Sequence, residues 1–302
     1  MVGAARSGTT SLYEYLGNVP GVYVAPKKEP HYFAPSISEN NRLAKFVTHD
    51  KSQYLSLYKG VKNERAIGEA SASYLWDVQS PKMIHEVVPN AHIIIILRDP
   101  IDRAFSQYLM SIRQREETLP FYDAIVKDYG RSDKGYFHSH LYVDLGLYSK
   151  QTKLYLDTFG PNNVKILIFE EFVKDTQASV NEVLRFLGLE PYVPSNIGKV
   201  YDPYVNPTNH TRTISLLSKI AFSSKTAAFA RNFLKKASKT MIRNSASAAR
   251  KEALTQRLLQ ATRRSSVPED GREYLKGIYR DDVAELKSLL GRSSVPWANF
   301  ME

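Results

Sequence analysis

Residues 91–106 read Ala91-His92-Ile93-Ile94-Ile95-Ile96-Leu97-Arg98-Asp99-Pro100-Ile101-Asp102-Arg103-Ala104-Phe105-Ser106. Four isoleucines and a leucine in succession leave no polar face, which is the pattern of a strand buried on both sides in a parallel sheet. Asn90 bounds the run on one side and Arg98-Asp99-Pro100 on the other, and a helix is predicted from about 101 to 114. A second run of this kind, Val164-Lys165-Ile166-Leu167-Ile168-Phe169, follows the turn Pro161-Asn162-Asn163. Helical spacing is predicted at 51–59, 80–88, 147–158, 176–187 (closing at Gly188) and about 270–290, with a short strand near 19–24 and a strand end at Ile67-Gly68. Strands separated by helices make βαβ units, so the predicted class is α/β with a parallel sheet. There is no internal repeat and no evident boundary, and residues 1–302 are expected to form a single domain.

Toward the N-terminus stands Gly3-Ala4-Ala5-Arg6-Ser7-Gly8-Thr9-Thr10-Ser11-Leu12. Leu12, Tyr15 and Leu16 share a helical face, so Ser7-Gly8-Thr9 reads as a loop entering a helix. A strand should precede it, and only Met1-Val2 is left to form one, so either the strand is very short or the start of the chain is clipped. Glycines let backbone N–H groups turn around an anion, and the helix N-terminus adds its dipole. A nucleoside-triphosphate loop carries Lys directly after the second glycine; here Thr9 stands there, and the nearest cation is Arg6. The isoleucine strand likewise ends on the cation Arg98 before Asp99. The frame points to a phosphate held without metal, in a P-loop-like three-layer fold whose central parallel sheet is flanked by helices. The plainer alternative is an incidental Gly/Ser/Thr turn.

Ligands of open α/β sheets bind at the carboxyl ends of strands. Arg98 stands at such an end, and Ser106 lies eight residues on, so a guanidinium and a hydroxyl can clamp a terminal phosphate. The alternative for Arg98 is an ion pair with Asp99 or Asp102.

Bulk composition narrows the rest. Cysteine is absent from the chain, which excludes disulfides and thiol chemistry and fits a reducing compartment. No run of about 18 apolar residues spans a membrane, and the N-terminus lacks the pattern of a cleaved secretion signal; a cytoplasmic location is expected. The net charge is +10. It is concentrated in 212–264, mostly helical by pattern, which holds thirteen Lys/Arg against one acid, Glu252. Such a block attracts polyanions or an anionic membrane, with Phe229, Phe233 and Met241 placed to lie on a bilayer; it reads equally as a solvated helical face. Nucleic acid is not an expected partner.

Taken together these motifs resemble the sulfotransferases that use 3′-phosphoadenosine 5′-phosphosulfate (PAPS). Residues Gly3–Leu12 look like the family's 5′-phosphosulfate loop and Arg98–Ser106 like its 3′-phosphate motif. Lys28-Glu29-Pro30-His31-Tyr32-Phe33 is similar to a segment of the heparan-type carbohydrate enzymes and their bacterial relatives. The resemblance continues through Gly146-Leu147-Tyr148, Ile166–Phe172, Phe186–Leu189, Tyr279–Leu286 and Pro296-Trp297. It implies that Arg6, Ser7, Gly8, Thr9, Thr10 and Ser11 hold the 5′ end and that Arg98 and Ser106 hold the 3′-phosphate. It also implies that a later loop, matched loosely by Thr211-Arg212, closes over the nucleotide. The implied reaction moves a sulfuryl group from PAPS to a hydroxyl, leaving adenosine 3′,5′-bisphosphate and needing no metal; the Lys28–Phe33 segment favours a glycan or glycolipid acceptor, with a small-molecule alcohol or a protein tyrosine as the alternatives.

Two departures stand out. Arg6 replaces the Lys of most relatives, keeping the charge but not the ability to release a proton. Ala70-Ser71 stands where related enzymes often carry a Lys. An acceptor hydroxyl needs a base: Glu29 is the candidate, with His31 as its orienter or as an alternative base, and Arg6 neutralises charge on the leaving group. In an extended segment residues 29 and 31 point the same way, so both can face one cleft. Against these roles stand an ion pair of Glu29 with Lys27 or Lys28 and a core position for His31. Two other functions compete: a P-loop phosphotransferase, and a non-catalytic polyanion or membrane-surface binder built on the basic block.

Overall fold

The computed structural model describes residues 1–37, 47–201 and 266–301. The chain divides into two units, one comprising Met1–Tyr108, Phe121–Tyr201 and Val267–Glu302. Of the other, the described residues are 109–120 and Ser266, and they include the end of a helix that begins at Pro100. The larger unit carries the paired strands, the glycine loop and the Arg98–Ser106 stretch.

Strand β1 is Val22–Val24, β2 Ala66–Gly68, β3 Ile93–Leu97 and β4 Val164–Ile168. β3 pairs parallel with β4, from Ile93 opposite Val164 to Leu97 opposite Ile168; β1 pairs parallel with β2. Where a strand is expected before the glycine loop, Gly3 makes an isolated parallel bridge to Ile95. Residues 2–4 run parallel beside β3, through Val2 N–H to Ile94 O (3.0 Å), Ala4 N–H to Ile96 O (2.8 Å) and Ile96 N–H to Gly3 O (2.8 Å). On their other side Met1 O and Val2 O accept from Ser71 and Leu75. The expected α/β arrangement of parallel strands and helices is what the chain forms.

The helices are α1 (Thr9–Leu16), α2 (Lys51–Ser56), α3 (Ser80–Val87), α4 (Pro100–Arg113), α5 (Phe121–Tyr129), α6 (Tyr148–Phe159), α7 (Phe169–Lys174), α8 (Thr176–Phe186) and α9 (Glu269–Leu289). Local chemistry sets several boundaries. Asp50 and Asp175 cap α2 and α8 by accepting from Gln53 N and Ala178 N. Gly188, with φ 72°, lies just past the end of α8. All five residues of β3 are buried. Ile94 and Ile96 pack with Leu12, Leu16, Val180 and Leu184 of α1 and α8. Alternation turns Ile93, Ile95 and Leu97 to the opposite face, where α6 lies against β3 and β4 and α9 lies against α6. Helices α5 and α7 have no counterpart in the sequence reading.

Candidate active site

Gly8 takes φ 86° at the entry to α1, a left-handed turn, and a Cβ there would meet the Phe169 ring at 3.0 Å. Arg6, although not glycine, also takes a left-handed φ of 66°. Residues held in that region are costly and cluster at ligand clamps. This turn sends the Arg6 side chain to α4, where Nε donates to Ser106 Oγ at 3.2 Å. From the end of β3, Arg98 Nη1 donates to Arg6 O at 3.2 Å, and its guanidinium lies 4.8 Å from the centre of the Phe169 ring. The glycine loop and the strand-end motif, read separately from the sequence, are therefore one cluster. Among the described residues Arg98 forms no ion pair with Asp99 or Asp102.

Three buried polar atoms of this cluster have no partner: Ser7 Oγ, Arg98 Nε and the Tyr148 hydroxyl. Tyr148 begins α6 beside Ser7 and the Arg98 amide. Burial pushes the Arg98 pKa below its usual value, with Asp102 and Glu170 opposing. Orphaned buried polar atoms are costly and rare in finished cores. A donor-rich set left open at a strand end fits the charged groups of the doubly phosphorylated nucleotide that the resemblance implies. Thr9 is buried and Thr10 half-buried at the helix start. Ser11 Oγ turns away to accept from Tyr201 N at 3.3 Å. Thr211 and Arg212 lie outside the described residues, as does the basic segment 212–264.

Two carboxylates, buried Asp99 and half-buried Glu170, fix the Arg98 turn. Asp99 is buried; it accepts at Oδ1 from Ile101 N (3.0 Å), and at Oδ2 from Asn299 Nδ2 (2.8 Å) and Asn299 N (3.3 Å). Glu170 accepts from Asp99 N (3.1 Å) and from the Trp297 indole (3.0 Å). Burial raises the pKa of both carboxyls.

Glu29 and His31 lie at the second cluster. The extended reading of this segment is corrected: Glu29 and His31 take φ of 60° and 56°, left-handed values. Glu29 N–H is spent on Ala70 O (2.8 Å) and His31 N–H on Ser71 Oγ (3.1 Å), so contact with residues 70–71, not alternation, sets both side chains. They still meet, His31 Nε2 standing 3.5 Å from Glu29 Oε2. Lys28 Nζ contacts Glu29 Oε1 at 2.6 Å, so the ion pair weighed against a catalytic role is present as well. Burial pushes the Glu29 carboxyl up, but Lys28 and His31 together outweigh it and leave its pKa below the ordinary value. His31 is buried, with Nδ1 2.7 Å from Ser73 Oγ, and burial lowers its pKa to about 4. The pair is tied to the loop through residues 71–75, which hydrogen-bond to Met1 and Val2.

The sequence assigns no role to Tyr148, Glu170, Trp297, Asn299 or Ser73. Tyr148, Glu170 and Trp297 lie inside the matched motifs; Ser73 and Asn299 carry no signal.

A sequence profile of the sulfotransferase family matches residues 1–194. Human carbohydrate sulfotransferase 15 is 25% identical over 243 residues, covering 63% of this chain and 43% of that protein. Human heparan sulfate glucosamine 3-O-sulfotransferase 6 is 27% identical over 193 residues, covering 64% and 52%. The chain thus spans about half the length of the curated relatives it matches. A sulfotransferase crystal structure from Alicyclobacillus acidocaldarius superposes with a TM-score of 0.69 at 29% identity, over 98% of this chain and 96% of that one. The profile takes in both the glycine loop and the Arg98–Ser106 motif, and the chain belongs to the sulfotransferase family.

Proposed function

We propose that this chain is a PAPS-dependent sulfotransferase acting on a hydroxyl of a carbohydrate, in a glycan or glycolipid. The observation that carries the reading is the meeting of the glycine loop and the strand-end motif through Arg6–Ser106 and Arg98–Arg6, with the Arg98 Nε buried and without a partner. PAPS, when bound, supplies the activated sulfuryl group.

The amides of Ser7, Gly8, Thr9 and Thr10 hold its 5′ end, aided by the α1 dipole. Arg98 and Ser106 hold its 3′-phosphate. Arg6 carries a fixed positive charge beside the loop and stabilises charge developing on the departing phosphate. Glu29 Oε2 takes the acceptor hydroxyl's proton, and its lowered pKa keeps it ionised at neutral pH. His31, neutral at that pH, orients Glu29 through Nε2. The carbohydrate acceptor is argued from the relatives' names, carbohydrate and heparan sulfate glucosamine sulfotransferases. The phosphotransferase alternative lacks a lysine at Thr9 to reach β- and γ-phosphates.

A thermal-shift comparison tests the reading. Adenosine 3′,5′-bisphosphate is expected to stabilise the protein without magnesium, and ATP is not. Stabilisation by magnesium-ATP alone rejects the proposal in favour of a phosphotransferase.

A further inference from the structure

Beside Glu29 and His31 stands a group of half-buried aromatic side chains to which the reaction assigns nothing. The His31 ring contacts Phe137 edge-on at 5.2 Å and Tyr136 at 5.8 Å between centroids. Tyr136 meets Phe137 at 4.9 Å with planes at 75°, and Trp76 at 6.4 Å with planes at 42°. Burial and the nearby Glu29 carboxylate raise the Tyr136 pKa well above its usual value, which puts the phenol within electrostatic reach of the base. Phe137 holds a left-handed φ of 66°. Trp76, Tyr136 and Phe137 each remain partly open to solvent. Among the described residues neither the Tyr136 hydroxyl nor the Trp76 indole N–H makes a hydrogen bond.

We propose that Trp76, Tyr136 and Phe137 form the acceptor subsite and receive a pyranose ring, its C–H face on the aromatic faces and its ring hydroxyls on the Tyr136 hydroxyl and the Trp76 N–H. The proposal rests on the sulfotransferase reading and names the surface that presents the acceptor to Glu29. Three features select a sugar. Aromatic faces take weakly polarised C–H groups, and Tyr and Trp add a polar tip where an apolar body meets a wet edge. The rings stand at 42° and 75° to one another, so together they offer faces in more than one direction, as a non-planar ring can use. Two open polar tips require several hydroxyls on one small ring, which a pyranose has and a phenol does not. Orientation by a few fixed polar groups within an apolar wall is how small-ligand sites gain specificity.

The chain contains two tryptophans, Trp76 and the buried Trp297, so ligand-sensitive emission reports on Trp76. The full chain, loaded with adenosine 3′,5′-bisphosphate, is titrated with a heparosan hexasaccharide, a chondroitin hexasaccharide and methyl β-glucopyranoside. At least one is expected to change the emission saturably, and the change disappears in Trp76→Phe. Tyr136→Ala raises the half-saturating concentration and the acceptor KM about tenfold or more, as loss of a stacked ring and its hydroxyl implies. Tyr136→Phe, which keeps the ring, recovers most of that loss, and nucleotide affinity is unchanged in all three variants. No response to any of the sugars, a response that persists in Trp76→Phe, or a response to a tyrosine peptide instead overturns the subsite. The donor reading is judged separately by stabilisation with adenosine 3′,5′-bisphosphate, which does not depend on these side chains.

Discussion

Arg6 and Ser106 meet across a hundred residues of chain, Nε to Oγ at 3.2 Å. The contact joins the glycine loop after the first parallel segment to the helix after β3, and Arg98 closes the group from the strand end. On the proposed function, these two elements hold the two anionic ends of one ligand. Arg98→Ala and Ser106→Ala are therefore expected to weaken adenosine 3′,5′-bisphosphate, by about 10- to 100-fold for the arginine, the scale of a charged hydrogen bond. Affinity for 5′-AMP, which lacks the 3′-phosphate, should barely change. Calorimetric titration of both nucleotides decides it; equal losses for the two show that Arg98 supports the loop without touching the 3′-phosphate.

The turn that aims Arg98 hangs on groups distant in sequence. Asn299 and Ile101 saturate the Asp99 carboxylate, while Glu170 bridges Asp99 N and the Trp297 indole. Asn299→Ala leaves a buried carboxylate short of a donor and should cost about 1–3 kcal/mol, read as a lower urea midpoint. Trp297→Phe keeps an aromatic ring, smaller than the indole, and removes the N–H from Glu170. Both are expected to lower affinity for adenosine 3′,5′-bisphosphate more than for 5′-AMP, because the disturbed element carries Arg98. A loss of stability with both affinities preserved makes the C-terminal segment a packing element only.

How much was legible followed the range of the forces involved. The isoleucine run and its Arg98 terminus were readable because a strand buried on both faces has no polar position to disguise it. The glycine loop was readable because Gly8 answers a local demand for positive φ. Glu29 and His31 were readable as chemistry but not as geometry. Their left-handed backbones are set by hydrogen bonds to Ala70 and Ser71, about 40 residues away, which alternation along the chain does not encode. Ser73 and Asn299 were invisible for the same reason, since each acts on a residue far from it in sequence. Helix α5 hid because its buried face, Phe121, Ala124 and Ile125, also carries Asp128, whose carboxylate accepts from the amides of His140 and Tyr142.

We propose Glu29 as the general base, and its carboxyl, held below the ordinary pKa, is ionised at neutral pH. Glu29→Gln should lower turnover about 100-fold or more while leaving nucleotide affinity intact. Lys28 is the largest influence holding its pKa down against burial. In Lys28→Met the carboxyl pKa rises, and the acid limb of kcat/KM moves to higher pH while the neutral plateau is retained. An acid limb that does not move, or full turnover in Glu29→Gln, removes Glu29 as the base.

His31 makes the fold itself sensitive to acid. Its pKa falls from an ordinary 6.5 to about 4 because the buried ring resists charging, and the Glu29 carboxylate only partly offsets this. Between those values the unfolded chain binds a proton that the folded protein does not. Stability is therefore full above about pH 6.5 and declines as the pH falls toward 4, by a total on the order of 3 kcal/mol. Urea midpoints measured between pH 7 and pH 4.5 should fall less steeply in His31→Gln than in the parent chain, the difference growing with acidity. Parallel profiles for the two proteins mean that His31 takes up its proton inside the fold. In that case it is charged beside Glu29 at mildly acid pH and acts as the carboxylate's counterion instead of its neutral orienter.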